Sequence, residues 1–260
     1  MSTVLHPGTS RPAPATNPAD DSELPLRAVL WADTAEIFDQ ILAHPFIAGL
    51  GDGSLDPVRF GSYLAQDSLY LGKYAQALAA LAGRAPDSEG IRIFASGAVG
   101  ALAEESGLHQ ELLDQLLPRL GDARPGDLPA SPTTVAYTDF LLKSAGSGSF
   151  AEALGAVLPC YWIYAEVGAA MQRASSPDPL FARWIDTYAA PEFAGLVEQV
   201  LGYADTWARD AGERERLALR KAYFRGAQFE WMFWDAAWRL ERWPVGAEGI
   251  IARSTASVAE

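Results

Sequence analysis

Helix-start signals recur along this chain while strand signals are nearly absent, and that imbalance limits the folds open to it. Asp56 precedes Pro57, which puts a side-chain acceptor at an N-cap and a residue without an N–H in the first turn, where none is needed. The run that follows, "VRFGSYLAQDSLYLGKYAQALAALAG", predicts one long helix. Ser149 with Glu152 forms a capping box ahead of a strongly apolar stretch, and Asp178-Pro179 repeats the cap-plus-proline device before "LFARWIDTYA". "PEFAGLVEQVLGYADTWARDAG" and "ERERLALRKAYFRGAQFEWMFWDAAWRLERW" supply two more helical runs. Apolar–polar alternation is missing, and β-branched residues are sparse beside Ala and Leu. The expectation is an all-α fold, a single domain of about seven or eight helices. A chain of 260 residues supports one sizeable core, and "GDARPGDLPASP", "SAGSGS" and "ASSPDP" punctuate helices without dividing domains.

The N-terminal stretch "MSTVLHPGTSRPAPATNPADDSELPL" is rich in Pro, Ser, Thr and Ala and lacks an apolar core of signal-peptide length. Residues 1–24 are therefore expected to form a disordered tail, residues 25–245 the helical domain, and residues 246–260 a flexible C-terminal tail. With 20 Lys+Arg against 33 Asp+Glu the formal charge is −13, which disfavours nucleic acid and anionic membranes as partners. One cysteine allows no internal disulfide and suits a reducing compartment, so a cytoplasmic location is expected. The most apolar run, from Ala156 to Met171, is interrupted by Glu166 and falls short of a membrane span of about 20 residues.

Three segments carry residues suited to chemistry. Tyr63, Asp67, Tyr70 and Tyr74 are spaced four, three and four, so they share one helix face. A tyrosine face at that spacing is usually core packing, but the carboxylate among the phenols is unusual: buried, it needs hydrogen-bond partners. Cys160, the only cysteine, lies four residues before Tyr164 in "LPCYWIYAEVG". Pro159 before it removes a helical hydrogen bond and crowds the carbonyl of Gly155, so a kink is expected there, tolerated by the glycine. A cysteine in an apolar helix is most often a small buried hydrophobe, and reactivity requires a stabilised thiolate. Glu230 in "FEWMFWDAAW" aligns with Tyr223, Ala227 and Trp234 on an apparent inward face. An acid among aromatics is desolvated, which raises its pKa towards that of a usable general acid; Asp235 is the expected solvated acid of that segment. The three histidines, His6, His44 and His109, make no Glu-x-x-His pattern, and His44 and His109 suit structural or capping roles. No metal site and no cofactor are expected, and no phosphate-loop, dinucleotide or nucleophile-elbow fingerprint occurs.

Taken in order, "HPFIAGLGDGSLDPVRFGSYLAQDSLYL", "LPCYWIYAEVG", "WIDTYAAPEF" and "FEWMFWDAAW" resemble the TenA family, also called thiaminase II or aminopyrimidine aminohydrolase, over roughly residues 26–240. The resemblance implies a helical fold like that of haem oxygenase without the haem, and a homotetramer. It further implies a hydrolase of thiamin salvage that converts 4-amino-5-aminomethyl-2-methylpyrimidine to the hydroxymethyl compound, with thiamin as a possible second substrate. Carried over by position, Cys160 matches the family's nucleophile and Glu230 its general acid/base. Asp67 matches the carboxylate that binds the amino side of the pyrimidine and supports the thiol. Tyr137, Tyr164 and Tyr188 match phenols lining the pocket, and Tyr70 a neighbouring pocket aromatic. The long Pro-rich N-terminal stretch is a departure from the family's core. Two other readings stand beside this one: a non-catalytic thiamin- or pyrimidine-binding protein on the same scaffold, and an oxygen-using oxidase, which the shortage of histidine disfavours.

Overall fold

The computed structural model describes residues 24–121, 128–173 and 176–245. Among these no strand occurs, and ten α-helices follow one another: α1 (Leu26–Leu42), α2 (Pro45–Asp52), α3 (Pro57–Ala82), α4 (Ser88–Glu104), α5 (Gln110–Leu116), α6 (Pro132–Ser147), α7 (Phe150–Gln172), α8 (Pro179–Tyr188), α9 (Pro191–Asp210) and α10 (Glu213–Arg239). Eight run ten residues or longer, in line with the expected all-α fold, and the short α2 and α5 supplement them. A π-helical turn, Glu105–His109, joins α4 to α5. The expected tails fall, apart from Leu24, outside the described residues.

The helices start where their caps place them. Asp56 accepts from the Val58 N–H at 2.7 Å, and Asp178 accepts from Leu180 at 3.0 Å. Ser149 and Glu152 form the reciprocal box, each side chain accepting from the other's backbone N–H. His44 caps α2, its Nδ1 accepting from Phe46 at 3.1 Å. Each bond satisfies a backbone donor that the first turn leaves without a helical partner.

Helix α7 runs through the middle of the bundle and packs most extensively on α10, while α3 packs on α4 and α6. At 23 residues α7 is long and apolar enough to cross a membrane, which corrects the expectation that no run reaches that length. Its most apolar window is 72% buried inside the bundle, so it is the core helix of a packed domain. It continues as a helix through Pro159. The backbone of α10 lies directly against it: a Cβ on Gly155 would overlap the Leu219 carbonyl, and one on Gly226 would sit 2.7 Å from Pro159 Cγ. Gly155 thus does more than tolerate a proline four residues on; it lets two long helices meet backbone to backbone.

Candidate active site

The residues singled out in the sequence come together where α3, α6, α7, α8 and α10 converge. Asp67 and Tyr70 come from α3, Tyr137 from α6, Cys160 and Tyr164 from α7, Tyr188 from α8 and Glu230 from α10. Six of the seven are buried, and Cys160 alone keeps partial exposure. Their placement rests on tertiary contacts. Gln66, next to Asp67, accepts from the Ser131 N–H and the Thr134 hydroxyl, both at 2.8 Å, and donates to the Pro129 carbonyl at 3.1 Å. That side chain ties the start of α6 to α3 and so aims Tyr137 inward.

Two hydrogen-bonded acids face this interior. Tyr137 donates to Glu230 Oε1 at 2.6 Å. Tyr63 donates to Asp67 Oδ2 at 3.0 Å, and its oxygen lies 3.2 Å from that of Tyr164. A phenol has one proton, so with that proton on Asp67, Tyr63 accepts from Tyr164. His109 Nε2 stands 3.3 Å from the same Asp67 oxygen. The phenol of Tyr74 donates to the Val157 carbonyl at 2.8 Å, one turn before Cys160.

Aromatic rings wall the region. Tyr63 stacks on Trp234 with centroids 4.9 Å apart, and Tyr137 on Phe229 at 5.0 Å. Tyr70 tilts against Tyr137 at 4.9 Å, Tyr164 against Tyr188 at 4.9 Å, and Trp184 against Tyr188 at 4.6 Å. Flat apolar faces with phenolic edges suit a planar heteroaromatic ring, which can stack and hydrogen-bond at once.

Burial dominates the ionisation of every acid here. It pushes Glu230 up to about 8, opposed by the Tyr137 hydrogen bond and reinforced by the charge of Asp67. It pushes Asp67 up to about 7, opposed by Tyr63. The Cys160 thiol is raised well above its ordinary value, first by burial, then by the charges of Glu230 and Asp67, while the hydroxyls of Tyr70 and Tyr74 favour the thiolate. The sulfur is therefore within electrostatic reach of both acids and against two phenols. Near neutral pH such a site holds Glu230 as a proton donor and Asp67 as a group able to take a proton.

Three residues gain importance beyond the sequence expectation. Tyr63 stood on the same face as Asp67, and its i−4 spacing was the available signal. Tyr74 ended that stripe with nothing to connect it to Cys160. His109 had no local signal, because its partner lies on another helix. Asp235 is, as expected, the more solvated acid of that segment: it is partly exposed, bonded to Arg239 at 2.7 Å and 3.6 Å from His44 Nε2, whereas Glu230 is buried. Among the described residues no group of His, Cys, Asp and Glu side chains could hold a metal ion.

Comparison with known proteins adds sequence relatives to this geometry. The model of the TENA/THI-4/PQQC family matches residues 31–240. The aminopyrimidine aminohydrolase of Bacillus subtilis is 34% identical over 80% of this chain and 88% of its own length. The thiamine biosynthesis multifunctional protein ThiED of Corynebacterium efficiens is 36% identical over 89% of this chain, which spans only 30% of that longer protein. A TenA homologue from P. horikoshii superposes with a TM-score of 0.71 at 27% identity, covering 83% of this chain and 99% of its own. A Shewanella denitrificans domain with a heme oxygenase-like fold superposes with a TM-score of 0.64 at 15% identity, over 84% of this chain and 94% of its own, a likeness of fold alone.

Proposed function

Because the chain belongs to the TENA/THI-4/PQQC family, we propose that it is an aminopyrimidine aminohydrolase of thiamin salvage, replacing the amine of 4-amino-5-aminomethyl-2-methylpyrimidine with a hydroxyl. Thiamin, which carries the same pyrimidine, is a second candidate substrate. The observation that carries this reading is the sole cysteine, placed within electrostatic reach of two buried acids that ionise near 7 and 8. A protein that only bound the ring would need no nucleophile there.

The reaction follows from the residue types. An amine on a methylene is a poor leaving group until the ring is made electron-rich. Asp67 takes the thiol proton, and the Cys160 sulfur adds to the ring carbon beside the one bearing the methylene. Glu230 delivers its proton to the adjacent ring nitrogen, so the adduct is neutral and enamine-like. Its electrons expel the amine, which leaves as ammonia with the proton the thiol gave up. Water adds to the methylene. Its proton restores the thiol as the sulfur departs, and Glu230 recovers the proton from the ring nitrogen. Tyr70, Tyr137, Tyr164 and Tyr188 are proposed to line the ring's pocket, where exclusion of water strengthens each polar contact.

A homotetramer and a cytoplasmic location complete the proposal. Val99, Leu102, Leu217, Phe224, Met232 and Trp243 are exposed apolar side chains, surface that a symmetric assembly would cover. A mechanism that needs a reduced thiol suits a reducing compartment.

Ammonia release from the aminomethylpyrimidine, measured with and without oxygen, tests the function. Oxygen-independent, stoichiometric release supports the hydrolase. Binding without release would leave a binder, and a requirement for oxygen would favour an oxidase.

A further inference from the structure

His109 ends the π-helical turn Glu105–His109 and is fully buried. Such turns shift the register of the side chains that follow and recur at functional positions. Here the turn carries Nε2 to 3.3 Å from Asp67 Oδ2, within ion-pair range but not aligned as a hydrogen bond, and Tyr63 donates to the same oxygen. Both contacts fall on Oδ2, and none among the described residues falls on Oδ1. The other groups that act on this carboxylate or its neighbours come from several elements: Tyr164 and Cys160 from α7, Tyr188 from α8 and Glu230 from α10. None of these is a cation. His109 is the only residue of the set able to carry a positive charge.

We propose that His109 is a positioning residue for Asp67, fixing the carboxylate through Oδ2 together with Tyr63 and leaving Oδ1 to take the thiol proton and meet the substrate's amino group. The proposal rests on the hydrolase reading above. An imidazole beside a buried carboxylate lets the pair hold one proton between them and stay neutral overall, in either arrangement. Without the imidazole, Asp67 keeps the Tyr63 hydrogen bond but loses the neighbour that packs against that oxygen and can carry a positive charge. It can then turn, and it binds a proton of its own more tightly, which makes it a poorer acceptor for the thiol.

The lone cysteine makes the test direct. The rate of Cys160 alkylation by iodoacetamide, followed from about pH 6 to pH 9, reads thiol activation without substrate. H109L should slow alkylation near neutral pH and lower kcat/KM by about ten- to hundredfold, the scale on which an adjacent opposite charge acts on a carboxylate. H109Q, whose amide N–H can reach the same oxygen, should regain most of both. A core-packing role would instead lower Tm and leave the pH profile of alkylation in place. An H109L protein that alkylates like the wild type overturns the proposal. Should H109L fail to fold, H109Q and H109N serve, since the asparagine amide is too short to reach Asp67; equal reactivity of those two overturns it as well. Absence of ammonia release by the wild type would defeat the hydrolase reading, and near-normal turnover by C160S would defeat the covalent step, while the alkylation comparison would still report on His109.

Discussion

Tyr137 on α6 donates a 2.6 Å hydrogen bond to Glu230 Oε1 on α10, joining residues 93 positions apart inside the bundle. The bond favours the ionised carboxylate and so restrains the rise in pKa that burial imposes. In Y137F that restraint is gone. The basic limb of the kcat/KM profile, where Glu230 loses its proton, should move to higher pH, and kcat should fall by about tenfold. A basic limb that stays in place would separate Glu230 from the rate-controlling acid.

Chemistry and binding should separate at Cys160 and Glu230. C160S exchanges a soft thiol nucleophile for a hydroxyl whose proton is far harder to remove, and E230Q keeps shape while removing the acid proton. Each should lower kcat by at least about a hundredfold, the low end of general acid–base contributions. The double variant should be little worse than either single one, because both groups act in one step. Calorimetry should still detect pyrimidine binding in all three.

The buried acids also make stability depend on pH. Glu230 and Asp67 ionise in the folded protein near 8 and 7, above their ordinary values. The folded state therefore holds protons that the unfolded chain has released, and stability falls as pH rises from the ordinary carboxyl range through those values. Thermal unfolding should show Tm declining between about pH 5 and pH 9. E230Q should flatten part of that decline and melt above the wild type at the alkaline end. For a chain this size about 1 kcal/mol corresponds to about 2–4 °C. A profile identical to the wild type would mean that Glu230 is not the strained acid.

Glycine substitutions should divide by location. At Gly155, alanine would overlap the Leu219 carbonyl, a backbone atom that cannot swing away. G155A should lose about 1–3 kcal/mol to overpacking. At Gly195, exposed on α9 with nothing near its Cβ position, alanine should add up to about 1 kcal/mol through helix propensity. Denaturant unfolding of the two variants checks the contrast, which would collapse if both moved in the same direction.

The proposed assembly is open to light scattering. At micromolar concentration the mass should be about four times 27.9 kDa. A monomer would leave exposed apolar residues such as Leu217 and Phe224 without cover and would count against the tetramer.

What could be read from the sequence follows the range of the interactions. Asp56, Ser149 and Asp178 act on backbone within three residues, so the helix starts were legible. The face shared by Tyr63, Asp67, Tyr70 and Tyr74 was legible for the same reason, being one helix's own periodicity. The inward turn of Glu230 could be expected from its aromatic neighbours. The partners could not: Tyr137 meets Glu230, and His109 meets Asp67, only because helices distant in sequence pack together. Gly226 against Pro159 is likewise a contact between α10 and α7, and nothing local marks it.

The Gln66 side chain has one further consequence. By gripping Pro129, Ser131 and Thr134 it makes the first turn of α6 an extension of α3, beside Asp67. Tyr137 and Asp67 thereby share one mount. A change at Gln66 would loosen both groups at once, although its side chain touches neither of them.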